Sequence, residues 1–245
     1  MKSSKLYNRR IYKLYGDDPR EVPLYGISQA ASYLKIPLAT LRSWVRGRKY
    51  PIGQEGEVGR FEPIIRLLNP NVPMLSFMNL VESHVLNGMR RIENIPFYKV
   101  RSALTIIEKQ MPSPHPLVER KFETDGIDLF IDHLGQTINQ EGQIVIRDVI
   151  AMYLRRIDRD IDLRALRLYP FLRKDELHNE PKQVVIDPLV SFGRPVLVGT
   201  GVPTNVIAGR FYAGESWDDL AKDYDLTAHQ IQEAIRYEKP TQRAA

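Results

Sequence analysis

Between Leu38 and Arg46, short hydroxyls and guanidiniums recur at helical spacing. Thr40, Arg42, Ser43 and Arg46 fall on one side, opposite an apolar stripe of Leu38, Leu41, Trp44 and Val45. A helix with this pattern hides the stripe and shows the polar side to water. The polar side chains are of the kinds that bind phosphate oxygens and guanine edges when a helix enters a major groove. Arg48 and Lys49 follow at once, and Arg60 closes a stretch, 53–61, punctuated by three glycines. That stretch reads as a wing-like hairpin with Arg60 placed to meet a phosphate backbone. An ordinary basic surface helix is the alternative.

Signals for bond-making chemistry are weaker. The chain has no cysteine, which excludes disulfides, thiolate catalysis and cysteine zinc sites. The histidines, His84, His115, His133, His178 and His229, show no metal-ligand spacing and read as surface or capping residues. Asp158, Asp160 and Asp162 alternate, but the glycine and closing glutamate of a calcium loop are missing, so they read as a solvated helix end. Gly199 and Gly201 lack the lysine of a phosphate loop, and Ser191 and Ser216 have no local base. The expectation is a binding protein with no catalytic residues, no metal and no cofactor. A nuclease or other hydrolase is the outlying alternative.

The elements that position these residues follow from periodicity, caps and charge. At 245 residues and 43% hydrophobic content the chain can bury a core, and no stretch approaches the ~20 apolar residues of a membrane span. A soluble, cytoplasmic protein without a membrane partner is expected. Residues 1–66 hold 13 Lys/Arg against 6 Asp/Glu, while the remainder holds 22 against 24. The excess positive charge is therefore at the amino-terminal end, where a nucleic acid is the expected partner. Ala30, Ala31 and Leu34 predict a first helix, with Ser28 as its cap. Further helices are predicted from Phe77 and from Phe97, the latter with Val100, Leu104 and Ile107 inward and Pro96 in its first turn. After the prolines of 112–116, the interleaved Phe122, Ile127, Leu129, Ile131 and Ile138 predict a small antiparallel sheet over 118–138, with turns at 124–126 and 134–136. A helix over 147–157 and a polar linker over 173–181 follow. Two apolar runs, 184–186 and 196–198, predict a two-stranded ribbon, and helices are predicted over 205–212, 217–223 and 228–238. Ser216 with Asp219, and Thr227 with Gln230, have the spacing that starts a helix. The carboxyl-terminal part, 182–240, carries 6 Lys/Arg against 8 Asp/Glu, which favours a protein-binding or dimerising module over a second DNA reader. The expected fold class is α+β, mainly helical: a winged helix-turn-helix over 24–111, a small mixed middle region over 112–181, and a three-helix domain with a short β-ribbon over 182–240.

Two resemblances sharpen this. Asp187-Pro188, Gly193-Arg194-Pro195, Gly199-Thr200, Pro203, Ala213-Gly214-Glu215-Ser216 and Tyr224 resemble a small antitoxin-associated domain of unknown function found beside PIN-like ribonuclease toxins; Gly201 stands where an Arg is common. Across 25–111, the Ser28 start, Thr40-Leu41-Arg42 with Trp44, the wing and two helices are similar to MerR-type DNA-binding domains, with Pro37 in place of a capping Ser and a longer link over 62–73. Together they resemble VapB-type antitoxins. The resemblance implies a protein that sequesters a PIN-like ribonuclease and represses its own operon, with operator DNA and that toxin as partners. A MerR-like regulator whose later domains sense a ligand or partner is the alternative. The residues expected to bind toxin or to dimerise are Arg194, Thr200, Arg210, Phe211, Leu220 and Ile235. Arg194 and Arg210 are the candidate cations for a carboxylate-lined nuclease site, although Arg194 could instead only tie its turn to Asp187. A homodimer is expected because operators read by winged heads are usually two half-sites.

Overall fold

The computed structural model describes residues 18–52, 57–92, 95–134, 138–171 and 180–239. The chain divides into two compact units, one comprising 1–155 with 160–164 and the other 156–159 with 165–245. Helices predominate, and the strands form two-stranded antiparallel ribbons.

In the first unit a short 3-10 turn (Pro19–Glu21) leads into β1 (Tyr25–Gly26), α1 (Ile27–Tyr33) and α2 (Leu38–Arg46). The hairpin β2 (Arg48–Ile52) and β3 (Glu57–Phe61), then β4 (Met74–Leu75), α3 (Phe77–Arg90), α4 (Phe97–Gln110), α5 (Ile127–Leu134) and α6 (Gln140–Leu154) follow. Ser28 does not cap α1: the pairing of Gly26 with Met74 delivers the chain directly into the helix, and Ser28 lies exposed in its first turn. Pro96 is likewise the N-cap of α4 rather than its first residue. Helix α3 is the centre of the unit. Ser76 and Asn79 form a reciprocal capping box, and every residue from Phe77 to Met89 is buried. Helix α6 comes so close to α3 that a Cβ on Gly88 would stand 2.6 Å from the Tyr153 ring.

The sheet expected over 118–138 is not there. A π-helical turn (Phe122–Gly126) runs straight into α5, and the buried set, Ile127, Phe130, Ile131 and Leu134, has the i, i+3, i+4, i+7 spacing of a helix. Alternation at 127, 129 and 131 masked that period, because Leu129 is only half-buried. The expected turn at Gly135-Gln136 lies outside the described residues, as do most of the 173–181 linker and His178. The helix expected over 147–157 starts seven residues earlier, where the Asn139 side chain accepts a bond from the Gly142 amide at 2.9 Å.

The second unit opens with β5 (Ile157–Arg159) and β6 (Ala165–Leu168), continues with β7 (Val184–Val185) and β8 (Val196–Leu197), and ends with α7 (Thr204–Tyr212), α8 (Trp217–Tyr224) and α9 (Ala228–Glu238). The expected ribbon forms, with Val184 opposite Leu197 and Val185 opposite Val196. Ser216 caps α8, and Thr227 caps α9 in a complete capping box. Val184, Leu197, Ile207, Leu220, Ile231 and Ile235 form the core that joins ribbon to helices. The aspartates read as a helix end belong elsewhere: Asp158 sits in β5, where it accepts bonds from the Tyr169 hydroxyl at 2.6 Å and from Lys182 at 3.4 Å. Burial, and then the bond to Asp158, push the Tyr169 phenol up to about 12. Buried Arg156 donates to the carbonyls of Tyr169, Pro170 and Glu180, which ties its own segment to two other stretches of backbone.

Candidate nucleic-acid and partner interfaces

Helix α2 is held by its apolar side. Leu41, Trp44 and Val45 are buried, and Trp44 stacks on Phe97 of α4 with ring centroids 5.8 Å apart. The Trp44 carbonyl accepts bonds from the amides of Ile64 and Ile65 at 2.8 and 3.0 Å, which fastens the segment after the hairpin. Ala39, Arg42 and Arg46 face water, as expected, while Thr40 and Ser43 are half-buried. The Ser43 hydroxyl donates to the Thr40 carbonyl at 2.8 Å, leaving its lone pairs as acceptors.

The hairpin pairs Arg48 with Phe61 and Lys49 with Arg60. Tyr50 stacks on Phe61 at 4.2 Å, and the Arg101 guanidinium covers Phe61 at 5.0 Å while donating to the Glu62 carbonyl at 2.5 Å. Like charges directly opposite on a ribbon repel, so the Lys49 and Arg60 pairing costs stability in water and gains it beside a polyanion. Arg60 also lies 3.6 Å from Glu62, but both are largely exposed, and such a pair holds by only about 0–1 kcal/mol. Arg42, Arg46, Arg48 and Lys49 are exposed and make no ion pair among the described residues. The hairpin tip, 53–56, lies outside them.

Helix and hairpin meet at Gly47, whose φ of 73° and ψ of 180° suit only glycine. A Cβ there would lie 2.3 Å from the Phe61 carbonyl oxygen. Gly47→Ala is expected to lower Tm and weaken duplex binding together, with backbone strain alone costing about 1–3 kcal/mol. Thermal unfolding checks this, and an unchanged midpoint would show that the junction tolerates a side chain.

In the second unit the structure separates the two candidate cations. Arg210 bonds Glu215, with Nε to Oε1 at 2.7 Å, reaches Asp223 at 2.6 Å, and lies over the Tyr224 ring at 5.2 Å. Glu215 first, then Tyr224 and Asp223, raise its pKa, so it is a structural tie between α7, the following turn and α8. Arg194 is exposed and does not hold Asp187, because Arg167 takes that carboxylate at 3.0 Å. Thr200 closes a turn, its hydroxyl donating to the Leu197 carbonyl and accepting from the Val202 amide, each at 3.0 Å. Leu220 and Ile235 lie inside the unit's own core and offer no apolar face to a partner. Phe211 is half-buried, edge-on to Trp217 at 5.4 Å.

Among the apolar side chains that do face water here, with Val198, Val206, Tyr212 and Trp217, are Leu189 and Phe192, 54% and 62% exposed and close in sequence to Arg194. Phe192 has a φ of 58°, and its neighbours Ser191 and Gly193 are also left-handed, at 46° and 70°. Non-glycine residues held in this region cost about 1–3 kcal/mol each, and such strain concentrates where a side chain must be displayed. The sequence offered no direct signal for Phe192 beyond its place between Ser191 and Gly193.

Two of the histidines and Asp160 have protein partners. His84 bonds the Tyr153 carbonyl at 3.1 Å, and His115 sits between Glu82 at 2.8 Å and Glu21 at 2.9 Å. These two are core residues rather than the surface or capping histidines expected. Asp160 accepts bonds from Arg20 at 2.5 Å and from the amides of Asp162 and Arg164. Among the described residues there is no cluster of three or more His, Asp or Glu able to hold a metal, and no helix long and apolar enough to cross a membrane.

Residues 23–104 match the family described as "Putative DNA-binding HTH domain", and residues 184–237 match "Protein of unknown function (DUF433)". "Putative antitoxin VapB45" of Mycobacterium tuberculosis is 29% identical over 234 residues, covering 88% of this chain and 93% of that protein. "Uncharacterized protein Rv2308" of the same organism is 26% identical over 239 residues, covering 90% and 91%. The crystal structure of Rv2018, again from M. tuberculosis, superposes with a TM-score of 0.62 at 26% identity, covering 88% of this chain and 98% of that one. The chain thus resembles a VapB-type antitoxin over 88% of its length, with a helix-turn-helix domain toward its amino-terminal end and a DUF433 domain toward its carboxyl-terminal end.

Proposed function

We propose that this protein is a DNA-binding antitoxin that acts without chemistry of its own. It reads operator DNA with α2 and the wing, and it uses the carboxyl-terminal domain to cover a PIN-like ribonuclease in the cytoplasm. Binding to its own promoter then represses the operon. The observation that carries this reading is the display of Arg42 and Arg46, exposed and without ion pairs among the described residues, on a helix whose opposite side is buried. Similarity to a protein named as an antitoxin supports the second half. DNA from upstream of the coding region, tested against a scrambled duplex of equal length, examines the first half. A purified complex with the ribonuclease of the neighbouring gene examines the second.

On the toxin side, the exposed Arg194 with Phe192 and Leu189 is the contact we assign, and Arg210 is the support. PIN-like nucleases cluster carboxylates around a metal, so a free guanidinium beside apolar anchors suits their groove. Arg194→Glu is expected to weaken inhibition of RNA cleavage at least tenfold with Tm unchanged. Arg210→Ala is expected to lower Tm while the folded fraction still inhibits. Equal inhibition by wild type and Arg194→Glu would remove this surface from the complex. A homodimer on two half-sites completes the proposal, and sedimentation giving one protomer per operator would count against it.

A further inference from the structure

Behind the reading head, the first unit contains a cavity of about 820 Å³ that DNA or toxin binding leaves unexplained. Ile92 after α3, Leu134 at the end of α5, and Ile146 and Val149 of α6 supply apolar walls. Two cations, Arg91 and Lys99, line the same space, and no acidic residue lines it among the described residues. Both are half-buried, and neither makes a side-chain hydrogen bond or ion pair among the described residues. Burying part of a cation without a partner is unfavourable, so an anion brought to the pair gains more there than at an open surface. The size lies within the ~300–1,000 Å³ range of small-molecule sites, and mostly apolar walls with a few placed charges are their usual construction.

We propose that this cavity binds a small amphipathic carboxylate, its head between Arg91 and Lys99 and its apolar tail against Ile92, Leu134, Ile146 and Val149. A guanidinium holds a carboxylate through two parallel bonds, and the lysine adds a point charge. A purely apolar ligand would leave both cations unanswered, and a small polar anion would leave the walls wet. Lys99 lies in the first turn of α4, the turn whose Phe97 braces Trp44. Occupancy therefore reaches the helix that supports the recognition helix, independently of whether the second unit binds a toxin.

The experiment is calorimetric titration of the full chain with decanoate, decanol and acetate. Decanoate is expected to bind and the other two to bind at least about tenfold more weakly. Arg91→Ala and Lys99→Ala should each weaken decanoate by about 10- to 100-fold, the usual range for losing a charged hydrogen bond. Val149→Trp, which fills the cavity, should abolish decanoate binding. Thermal unfolding of each variant separates loss of the site from loss of the fold. Failure of decanoate to bind the folded wild-type chain overturns the proposal. So does equal binding of decanol, or indifference to both cation substitutions.

Discussion

Replacing Arg42 and Arg46 together by alanine should abolish selective duplex binding with the fold intact. Both side chains are exposed, while α2 is anchored by Leu41, Trp44 and Val45 on its far side, so the substitution leaves the packing untouched. An arginine on a base edge contributes about 1–3 kcal/mol, so the pair contributes roughly 2–6 kcal/mol, which is at least about 30-fold in affinity. Arg48→Ala, Lys49→Ala and Arg60→Ala should behave differently. Each is expected to weaken specific and scrambled duplexes alike and to reduce the slope of log affinity against log salt by about one. Fluorescence anisotropy on both duplexes over a salt series separates the two classes. Wild-type discrimination in the double variant would sink the proposed role of α2.

The second large effect lies in the core. His115 donates from Nδ1 to Glu82 and from Nε2 to Glu21, and Glu21 also meets Arg164 at 3.4 Å. Burial alone would lower the His115 pKa, but bonds to Glu21 and Glu82 outweigh it and push it up to about 10. Burial raises the Glu82 carboxyl above its ordinary value, and the bond to His115 offsets only part of that rise. His115→Ala leaves a carboxylate inside α3 without its partner, a loss on the order of 3–5 kcal/mol at neutral pH. Glu82→Gln in the same chain should recover part of that loss, because a neutral amide needs no counter-charge. The pH dependence has a definite sign. A histidine whose folded pKa exceeds its unfolded value of 6.5 contributes fully below pH 6.5 and loses that contribution as pH rises towards about 10. Urea unfolding between pH 6 and 10 should therefore show wild-type stability falling with alkalinity and a flatter profile for His115→Ala. Parallel profiles would mean that His115 is neutral in the folded protein.

What could be read from residues alone was what neighbours in sequence decide. The stripe Leu41, Trp44 and Val45, the caps at Ser216 and Thr227, and the pairing of Val184 with Leu197 each follow from residues within a turn or a hairpin of one another. α5 was misread because a period of two and a period of 3.6 share positions 127 and 131, and burial at Phe130 and Leu134 decides between them. The His115 contacts span 33 and 94 residues, which no local pattern announces. Closeness in sequence leaves Asp187 open as a partner for Arg194, whereas Arg167 arrives from another strand and takes the carboxylate. Its release leaves Arg194 available to a partner. Leu220 and Ile235 look alike as core or seam in a sequence, and only their enclosure places them in the core.

The stack of Trp44 on Phe97 and the cover of Phe61 by Arg101 bear on how such a protein diversifies. A change of operator specificity cannot be inherited by exchanging the recognition helix and wing alone, because the aromatic and guanidinium that seat them belong to α4. A crossover between the wing and α4 would pair a new reader with a foreign brace. The heritable cassette for operator choice therefore extends at least through α4, and recombination joints that preserve function should fall beyond Gln110.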